Sequence, residues 1–348
     1  MAHGGLSRQA RQIATIAILA AAGEAERQLA THVSAALHVG LAPSELLALA
    51  EHVSVYAGFP RALNALTTVT EVLSAAGIPR PAELGCVRLT DHETVVAQRG
   101  ETGPPVLLVH ALGLDWRMWE PVMPQLSAGR RVFAYDIRGH GRAAGSPKPF
   151  TMTDAAADLV GVLDAIGADR AHVVGLSYGG AIAQTAAVGH PERFASLALL
   201  ATTDYPFDSF EDRARSGEAD RTEAQVVSSL TRCFTPGALA TGGWGVRYAR
   251  EMVRRGGKAD WAAAWRSFTG LDVRGRLGQF ESPALVLAGE LDASTTPQTM
   301  AGIAERIPGS VYQQLPSTPH MQTLEQAGLV AHALDEFLPA EGQASAAR

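Results

Sequence analysis

The pentapeptide Gly175-Leu176-Ser177-Tyr178-Gly179 places a serine between two glycines, at the junction of two predicted elements. The apolar run 171–174 before it is typical of a buried strand, and the small residues 180–187 after it favour a helix. A serine on so sharp a turn needs a strained backbone, and the glycines remove Cβ atoms that would collide with the strand and the helix. The stretch therefore predicts a nucleophilic serine and indicates an enzyme.

Apolar runs that alternate with helical patterns extend on both sides of this turn. Residues 86–89 and 94–97 predict a hairpin, and the later runs predict buried strands at 106–109, 132–135, 171–174, 197–200, 285–287 and 311–315. Helices predicted at 153–166 and 297–307 lie between strands, which indicates a mostly parallel sheet wrapped by helices. Residues 205–279 interrupt the alternation with helix-like, charged, Trp-containing sequence. We expect them to form a cap over the site.

Residues 6–76 show only helical patterns. The predicted helices are 13–21, 26–38, 44–56 and 60–75, and Ser44 is the expected N-cap of the third. The Gly- and Pro-rich stretch 77–81 then ends the last helix as a short stiff linker. We therefore predict a small all-α domain at 1–80, followed by an α/β domain at 83–340.

Composition narrows the class of partner. A net charge of -6 with a pI near 6.0 disfavours nucleic acid or an anionic membrane surface, and 47% hydrophobic residues support a sizeable core. Cys86 and Cys233 lie far apart without metal-ligand spacing, so both are expected to be free thiols in a cytoplasmic protein. We expect a small-molecule substrate and neither a metal nor another cofactor.

One segment near the start of the chain has two interpretations. Arg8 and Arg11 precede the apolar stretch 13–22, an order that secretory signals also show. The favoured alternative is an ordinary core helix with one apolar face made by Ile13, Ile16, Ala17 and Ala20. No apolar run reaches the roughly 18 residues of a membrane span.

A serine nucleophile needs a histidine within hydrogen-bond reach and an acid that orients the histidine. In hydrolases with a strand-turn-helix serine these partners come later in the chain, in the order acid then histidine. Asp292 and His320 both follow predicted strands in that order and are the expected partners of Ser177. Asp204 is the rival acid, because it follows the strand after the serine. Four histidines are rivals of His320 but lie before or too close to the serine: His110, His140, His172 and His190.

Backbone donors for an oxyanion should come from two loops. The N–H after the nucleophile belongs to Tyr178, and the second donor is expected in the loop 110–113, at Leu112. The candidate substrate-binding residues are Arg138, Trp119 and Trp265, although a structural role is favoured over a catalytic one for Arg138 and for Asp136. Cationic side chains at helical spacing in the cap could bind a carboxylate, although a solvated helix face is the favoured interpretation: Arg247, Arg250, Arg254, Arg255 and Lys258. Packing of the cap is the favoured role of Trp244, Trp261, Trp265 and Phe268.

The motifs His110-Ala-Leu-Gly, Asp136-x-Arg-Gly-His-Gly and Gly175-x-Ser-x-Gly-Gly, with Asp292 and His320, resemble those of the α/β-hydrolase superfamily over about 83–340. The resemblance implies the α/β-hydrolase fold with a helical cap at about 205–279. Within the superfamily, residues 112–119, 233–236 and 261–277 look most like 3-oxoadipate enol-lactonases. This finer resemblance implies a carboxylate-bearing enol lactone as substrate.

Residues 6–76 are similar to the carboxymuconolactone decarboxylase family, through 14–17, His32, Gly40 and especially 51–60. The two resemblances support each other, because these enzymes act on successive metabolites. The spacing back from His32 places Ala25 and Gln28 where redox relatives have cysteines, which excludes peroxidase-type thiol chemistry. The helical part is expected to act as a decarboxylase, with His32 and His52 at matched positions, or to form a homo-oligomer or support the lid.

Three functions remain open from the sequence. The first is hydrolysis of a small enol lactone or ester through an acyl-enzyme on Ser177. The second is a non-hydrolytic lactonisation, cyclisation or decarboxylation of a larger polyketide-like substrate, or a bifunctional decarboxylase and enol-lactonase. The third, binding without catalysis, is disfavoured by the intact set of Ser177, Asp292 and His320.

Overall fold

The structure is a computed structural model that describes residues 5–78, 81–219 and 223–340. The chain divides into two compact units, Met1–Pro81 and Ala82–Arg348. Among the described residues, no helix is long and apolar enough to cross a membrane.

The first unit is built of four helices. They are α1 (Arg8–Ala22), α2 (Glu26–His38), α3 (Pro43–Ala57) and α4 (Phe59–Ala75). Their apolar faces enclose a core that includes Ile16, Leu29, Val33, Leu46 and Val69, each at most 3% exposed. All four predicted helices are present.

Two details of this unit differ from the sequence prediction. Ile13 is 41% exposed, so the buried face of α1 is made by Ile16 and Ala20 instead. The N-cap of α3 is Ala42 rather than Ser44, because Pro43, with its helical φ, already takes the first helical position. The side chain of Glu45 accepts a hydrogen bond from the Ala42 N–H at 2.8 Å and closes this helix start.

The second unit is organised by one eight-stranded sheet. Its strands are β1 (Glu83–Arg88), β2 (Glu93–Arg99), β3 (Pro105–Val109), β4 (Arg131–Tyr135), β5 (Ala171–Leu176), β6 (Phe194–Leu200), β7 (Ala284–Gly289) and β8 (Val311–Leu315). The spatial order is β1-β2-β4-β3-β5-β6-β7-β8. The pairs β1–β2 and β2–β4 are antiparallel, and all the other pairs are parallel. The predicted hairpin and the mostly parallel sheet are therefore confirmed.

The strands at the centre of the sheet are buried on both faces. In β3, Leu107 and Val109 belong to one hydrophobic core, whereas Val106 and Leu108 belong to the other. The same alternation runs through β4, β6 and β7. Two-sided burial is the reason that these strands read as continuous apolar runs in the sequence.

Helices cover the sheet and form the cap. The helices outside the cap are α5 (Met123–Leu126), α6 (Met152–Ala165), α7 (Tyr178–Gly189), α13 (Pro297–Arg306), α14 (Gln322–Glu325) and α15 (Ala327–Phe337). Between β6 and β7 the described residues form the cap helices α8 (Ser209–Glu218), α9 (Glu223–Cys233), α10 (Pro236–Thr241), α11 (Trp244–Arg255) and α12 (Lys258–Thr269). The described part of 205–279 contains no strand, as predicted.

Candidate active site

Ser177 sits on the turn between β5 and α7 in a strained conformation. Its backbone has φ +55° and ψ −116°, a region that L-residues rarely adopt. Such a conformation costs about 1–3 kcal/mol and persists only where its surroundings hold it. The backbone N–H of Ser177 donates to the Leu200 carbonyl at 2.9 Å, and its carbonyl accepts from the Thr202 hydroxyl at 2.7 Å. These bonds tie the turn to the end of β6.

The flanking glycines are required by close packing. A Cβ placed on Gly175 would lie 2.4 Å from the carbonyl oxygen of Gly179, across the turn. A Cβ on Gly179 would lie 2.2 Å from the carbonyl oxygen of Val109, at the end of β3. Because backbone atoms cannot move aside cheaply, only glycine allows α7 to start so close to the sheet.

A chain of hydrogen bonds joins Ser177 to His320 and Asp292. The Oγ of Ser177 lies 3.0 Å from Nε2 of His320, and Nδ1 of His320 lies 2.8 Å from Oδ2 of Asp292. The histidine is 5% exposed and the aspartate 3% exposed, so both bonds are shielded from bulk water. With the carboxylate accepting from Nδ1–H, the Nε2 lone pair faces the serine hydroxyl.

Asp292 is held ionised by the groups around it. Oδ1 accepts from the backbone N–H groups of Ser294 at 2.8 Å and Thr295 at 3.0 Å, and Oδ2 accepts from the Thr295 hydroxyl at 2.7 Å. Burial alone would raise the pKa of Asp292, but the charge and hydrogen bond of His320, with the bonds from Thr295, lower it below its usual value. The carboxylate is therefore charged at neutral pH.

His320 reaches the serine because its loop crosses the end of β7. A Cβ on Gly289, the last residue of β7, would lie 2.4 Å from the carbonyl oxygen of Thr318 in that loop. The same carbonyl accepts from the Leu291 N–H at 2.9 Å. Glu290 is exposed, as expected, but its carboxylate also accepts from the Ser317 N–H at 2.6 Å. The histidine loop is thus fixed to the loop that carries the acid.

The two candidate oxyanion donors lie at neighbouring strand ends. β3 and β5 are paired in parallel with Val109 opposite Gly175, so the loop after β3 borders the serine turn. This pairing occurs where the strand order changes direction, which opens a crevice beyond the carboxyl ends of the strands. Leu112 lines the same cavity as Ser177. Tyr178 begins α7, where the N–H has no partner within the helix.

His110 links the loop after β3 to the loop after β4. Its Nε2 accepts from the Ile137 N–H at 2.9 Å, and its Nδ1 donates to the Ala111 carbonyl at 2.8 Å. Burial, assisted by the charge of His140, lowers the pKa of His110 to about 3. His110 is therefore neutral at pH 7, as an accepting Nε2 requires. It shapes the loop that carries Leu112 and is not a partner of Ser177.

A cavity of about 80 Å³ opens over Ser177 and His320. Since one water molecule needs about 10–15 Å³ of such cavity volume, the space suits a small acyl or lactone group. Trp265 lines this cavity, so its side chain lies where a substrate-binding residue must be. Arg213 also lines it, with its guanidinium carbon 4.9 Å from the centre of the Trp265 ring.

Arg138 lies away from the cavity, which corrects its assignment as a substrate-binding residue. Its guanidinium is bonded to Asp158 at 2.5 and 2.8 Å and contacts Asp91 at 3.4 Å. Asp91, His92 and Asp158 form a group close enough to hold a metal ion. Arg138 already supplies the positive charge there.

The prediction that Trp119 binds substrate is also wrong. This tryptophan is 0% exposed and packs in the hydrophobic core, because the short helical turn 116–119 directs its indole inward from the loop after β3. It does not line the cavity over Ser177.

The rival acid Asp204 has a different partner. Its carboxylate is fully buried and lies 3.1 Å from the guanidinium of Arg306. Burial raises its pKa in spite of that charge. The acid bonded to His320 is Asp292.

The cap cations mostly form a solvated face, as favoured from the sequence. Arg250 and Arg254 face Glu223 at 2.9 and 3.8 Å, and Arg255 pairs with Glu251. Among the described residues, Arg213 has no carboxylate partner, although it is half-buried and faces the cavity. Sequence reasoning missed it because an isolated arginine in a charged helix gives no signal.

Thr295 and Thr202 were also missed. Thr295 bonds Asp292 and lies 3.3 Å from Nδ1 of His320, and Thr202 holds the carbonyl of Ser177. The run 294–296 of hydroxyl residues, separated from Asp292 by one alanine, was the available signal for Thr295.

Comparisons with known proteins agree with this architecture. Over 247 residues the chain is 27% identical to 3-oxoadipate enol-lactonase 2 of Acinetobacter baylyi, covering 68% of this chain and 88% of the relative. It is 29% identical to the pimeloyl-[acyl-carrier protein] methyl ester esterase of Chromobacterium violaceum, covering 68% of this chain and 94% of the relative. The crystal structure of the enol-lactonase from Burkholderia xenovorans LB400 superimposes with a TM-score of 0.70 at 26% identity, covering 73% of this chain and 99% of that one.

Family models match both units. The model of the carboxymuconolactone decarboxylase family matches residues 1–71. The model of the alpha/beta hydrolase fold matches residues 104–327, the range that contains the serine turn, the aspartate and the histidine loop. This second model matches more than half of the chain, and the chain therefore belongs to the α/β-hydrolase family.

Proposed function

We propose that the protein hydrolyses a small enol lactone or ester through an acyl-enzyme on Ser177. The observation that carries the proposal is the hydrogen-bonded chain from the strained serine through His320 to the buried carboxylate of Asp292. A serine hydroxyl is a weak nucleophile at neutral pH, and this arrangement supplies the base and the group that orients it. The enol-lactonase and esterase relatives support the same class of reaction.

In the first half of the reaction, Nε2 of His320 takes the proton of Ser177 while Oγ attacks the carbonyl carbon. The ionised Asp292 holds the imidazole in the correct tautomer and stabilises the imidazolium. The N–H groups of Leu112 and Tyr178 are the donors that we assign to the developing oxyanion. Collapse breaks the bond to the leaving oxygen, which takes the proton from His320.

In the second half, water replaces the leaving group. His320 removes a proton from the water, the hydroxide attacks the acyl carbon, and the bond to Oγ breaks as the proton returns to Ser177. The acid product therefore contains one oxygen from water. For a lactone, the leaving oxygen stays attached to the acyl chain, so ring opening gives a single product.

The oxygen balance separates hydrolysis from the non-hydrolytic alternatives. We expect incubation of the protein with an enol lactone or a p-nitrophenyl ester in H₂¹⁸O to add one ¹⁸O to the carboxylate of the product, measured by mass spectrometry. Ser177→Ala is the control for uncatalysed hydrolysis. A product that forms only with the intact serine but carries no ¹⁸O would instead support lactonisation, cyclisation or decarboxylation.

We further propose that the substrate carries a carboxylate, which Arg213 binds. The guanidinium faces the cavity and stacks over Trp265 and Phe210, at 4.9 and 5.7 Å from the ring centres. Burial, with the nearby charge of Arg232, lowers the pKa of Arg213, so an anion in the cavity would be favourable.

Arg213→Ala is expected to discriminate between charged and neutral esters. A charged hydrogen bond contributes about 1.5–3 kcal/mol, so kcat/KM for a monoester of adipic acid should fall about 10- to 100-fold. The value for the corresponding methyl diester should change little. Arg250→Ala is the matched control, because Arg250 pairs with Glu223 and does not line the cavity. An equal loss on both esters in Arg213→Ala would contradict a carboxylate site.

For the helical unit we propose a separate domain at 1–80 with a supporting role in oligomer formation. His32 is hydrogen-bonded to Gln12 at 2.9 Å, and His52 is exposed beside the ring of Tyr56. Val55, Tyr56 and Phe59 expose 74%, 80% and 71% of their surface, which favours a protein partner over a catalytic cleft. Light scattering on the full chain tests for a homo-oligomer, and a monomer at all concentrations would rule it out.

A further inference from the structure

Trp261 packs between two glycines and lines the walls of several cavities. It is a half-buried residue of cap helix α12, and it lines the cavity over Ser177. It also lines a surface cleft of about 460 Å³, which the loop after β3 borders with Gly113, Asp115 and Arg117. Leu114 is the other residue that lines both spaces. The indole thus separates a cavity of about 80 Å³ from a much larger volume.

Two glycines make room for this indole. A Cβ on Gly113 would lie 2.5 Å from Cζ3 of Trp261, and a Cβ on Gly217 in α8 would lie 2.2 Å from Cδ1. The ring is therefore packed edge to edge between the loop after β3 and a cap helix. A side chain fixed in this way forms a wall and not a mobile flap.

From this placement we propose that Trp261 limits the size of the acyl group that reaches Ser177, and that a smaller residue would join the cavity to the surface cleft. The proposal rests on the proposed function, since it takes Ser177 as the acylated residue. In the present structure the acyl group must fit within the cavity over Ser177. Without the indole, a longer chain would extend past Leu114 into the cleft and towards solvent.

The test measures kcat/KM for p-nitrophenyl esters of increasing acyl length in Trp261→Ala, in Trp261→Phe and in the native chain. We expect the ratio of kcat/KM for p-nitrophenyl decanoate to that for p-nitrophenyl acetate to rise about tenfold or more in Trp261→Ala, the effect of a few methylene groups newly accommodated. Trp261→Phe should give a smaller rise. Trp244→Ala is the matched control, because Trp244 stacks on Tyr248 in the cap and lines neither space.

Several results would overturn the proposal. An equal loss of activity on all esters, in a variant with a native circular-dichroism spectrum, would mean that Trp261 only positions the loop with Leu112. If Trp261→Ala does not fold, Trp261→Phe decides the question. An unchanged ratio of kcat/KM for the decanoate to that for the acetate in Trp261→Phe would also mean that Trp261 does not limit acyl size.

Covalent labelling separates this inference from the proposed function. Fluorophosphonates with methyl and octyl chains report acylation-type attack directly, without turnover. If the native chain is not labelled at residue 177 by either reagent, the proposed function fails. If the methyl reagent labels the native chain but the octyl-to-methyl rate ratio does not rise in Trp261→Ala, only the size limit fails.

Discussion

Ser177→Ala is expected to lower kcat/KM for ester hydrolysis by about 10⁴-fold or more, because no other group can accept the acyl chain. The residual rate should be that of the oxyanion donors and binding alone. Stability should change little, because alanine removes only one hydrogen bond, a net contribution of about 1 kcal/mol, and keeps the same strained φ of +55°. The measurement is the initial rate on a p-nitrophenyl ester, together with thermal unfolding.

A fluorophosphonate provides the control for this loss. The reagent should add one phosphonyl group to the native chain at Ser177, located by peptide mass spectrometry, and none to Ser177→Ala. Activity within tenfold of the native chain in a folded Ser177→Ala protein would refute an acyl-enzyme on this residue.

Asp292→Asn is expected to lower kcat by about 10⁴-fold, because an amide at this position holds the wrong tautomer of His320. The pair is buried and 2.8 Å apart, so water cannot replace the lost carboxylate. Steady-state kinetics on the same ester measure the effect.

Asp204→Asn is the matched control, since Asp204 is equally buried but pairs with Arg306. Its kcat should stay close to native even if its stability changes. The opposite result, a large loss in Asp204→Asn and near-native rates in Asp292→Asn, would assign the acid to Asp204.

Acid should destabilise the protein through Asp292. Its pKa is lower in the folded chain than in the unfolded chain, so its contribution to stability is complete above the unfolded value of about 3.9. That contribution is lost as the pH falls through the folded pKa. Denaturant unfolding should be measured at successive pH values. As the pH falls, the free energy of unfolding should decrease less in Asp292→Asn than in the native chain.

The order of strands and helices could be predicted from the sequence because the local pattern of each agrees with its burial in the folded protein. Strands buried on both faces, such as 106–109, require a continuous apolar run, and a strained serine turn requires glycine on both sides. The same reasoning predicted Asp292 and His320 at strand ends, since parallel strands bring their carboxyl ends to one edge. Ser44 failed as an N-cap because Pro43 begins the helix by itself.

The direction of side chains in the loops and in the cap could not be predicted from the sequence. Arg138 and Trp119 follow β4 and β3, at the edge of the sheet that carries Ser177, yet one pairs with Asp158 and the other enters the core. Arg213 and Trp261 belong to cap helices with no motif, and both line the cavity.

By itself the sequence determined the α/β architecture and the serine turn, since these depend on local backbone geometry and on the period of apolar residues. It also predicted Ser177, Asp292 and His320 as the candidate catalytic residues. Only the tertiary structure decided that the histidine loop crosses β7 at Gly289 to reach the serine, and which side chains close the cavity. These depend on packing between segments far apart in the chain, which no local pattern records.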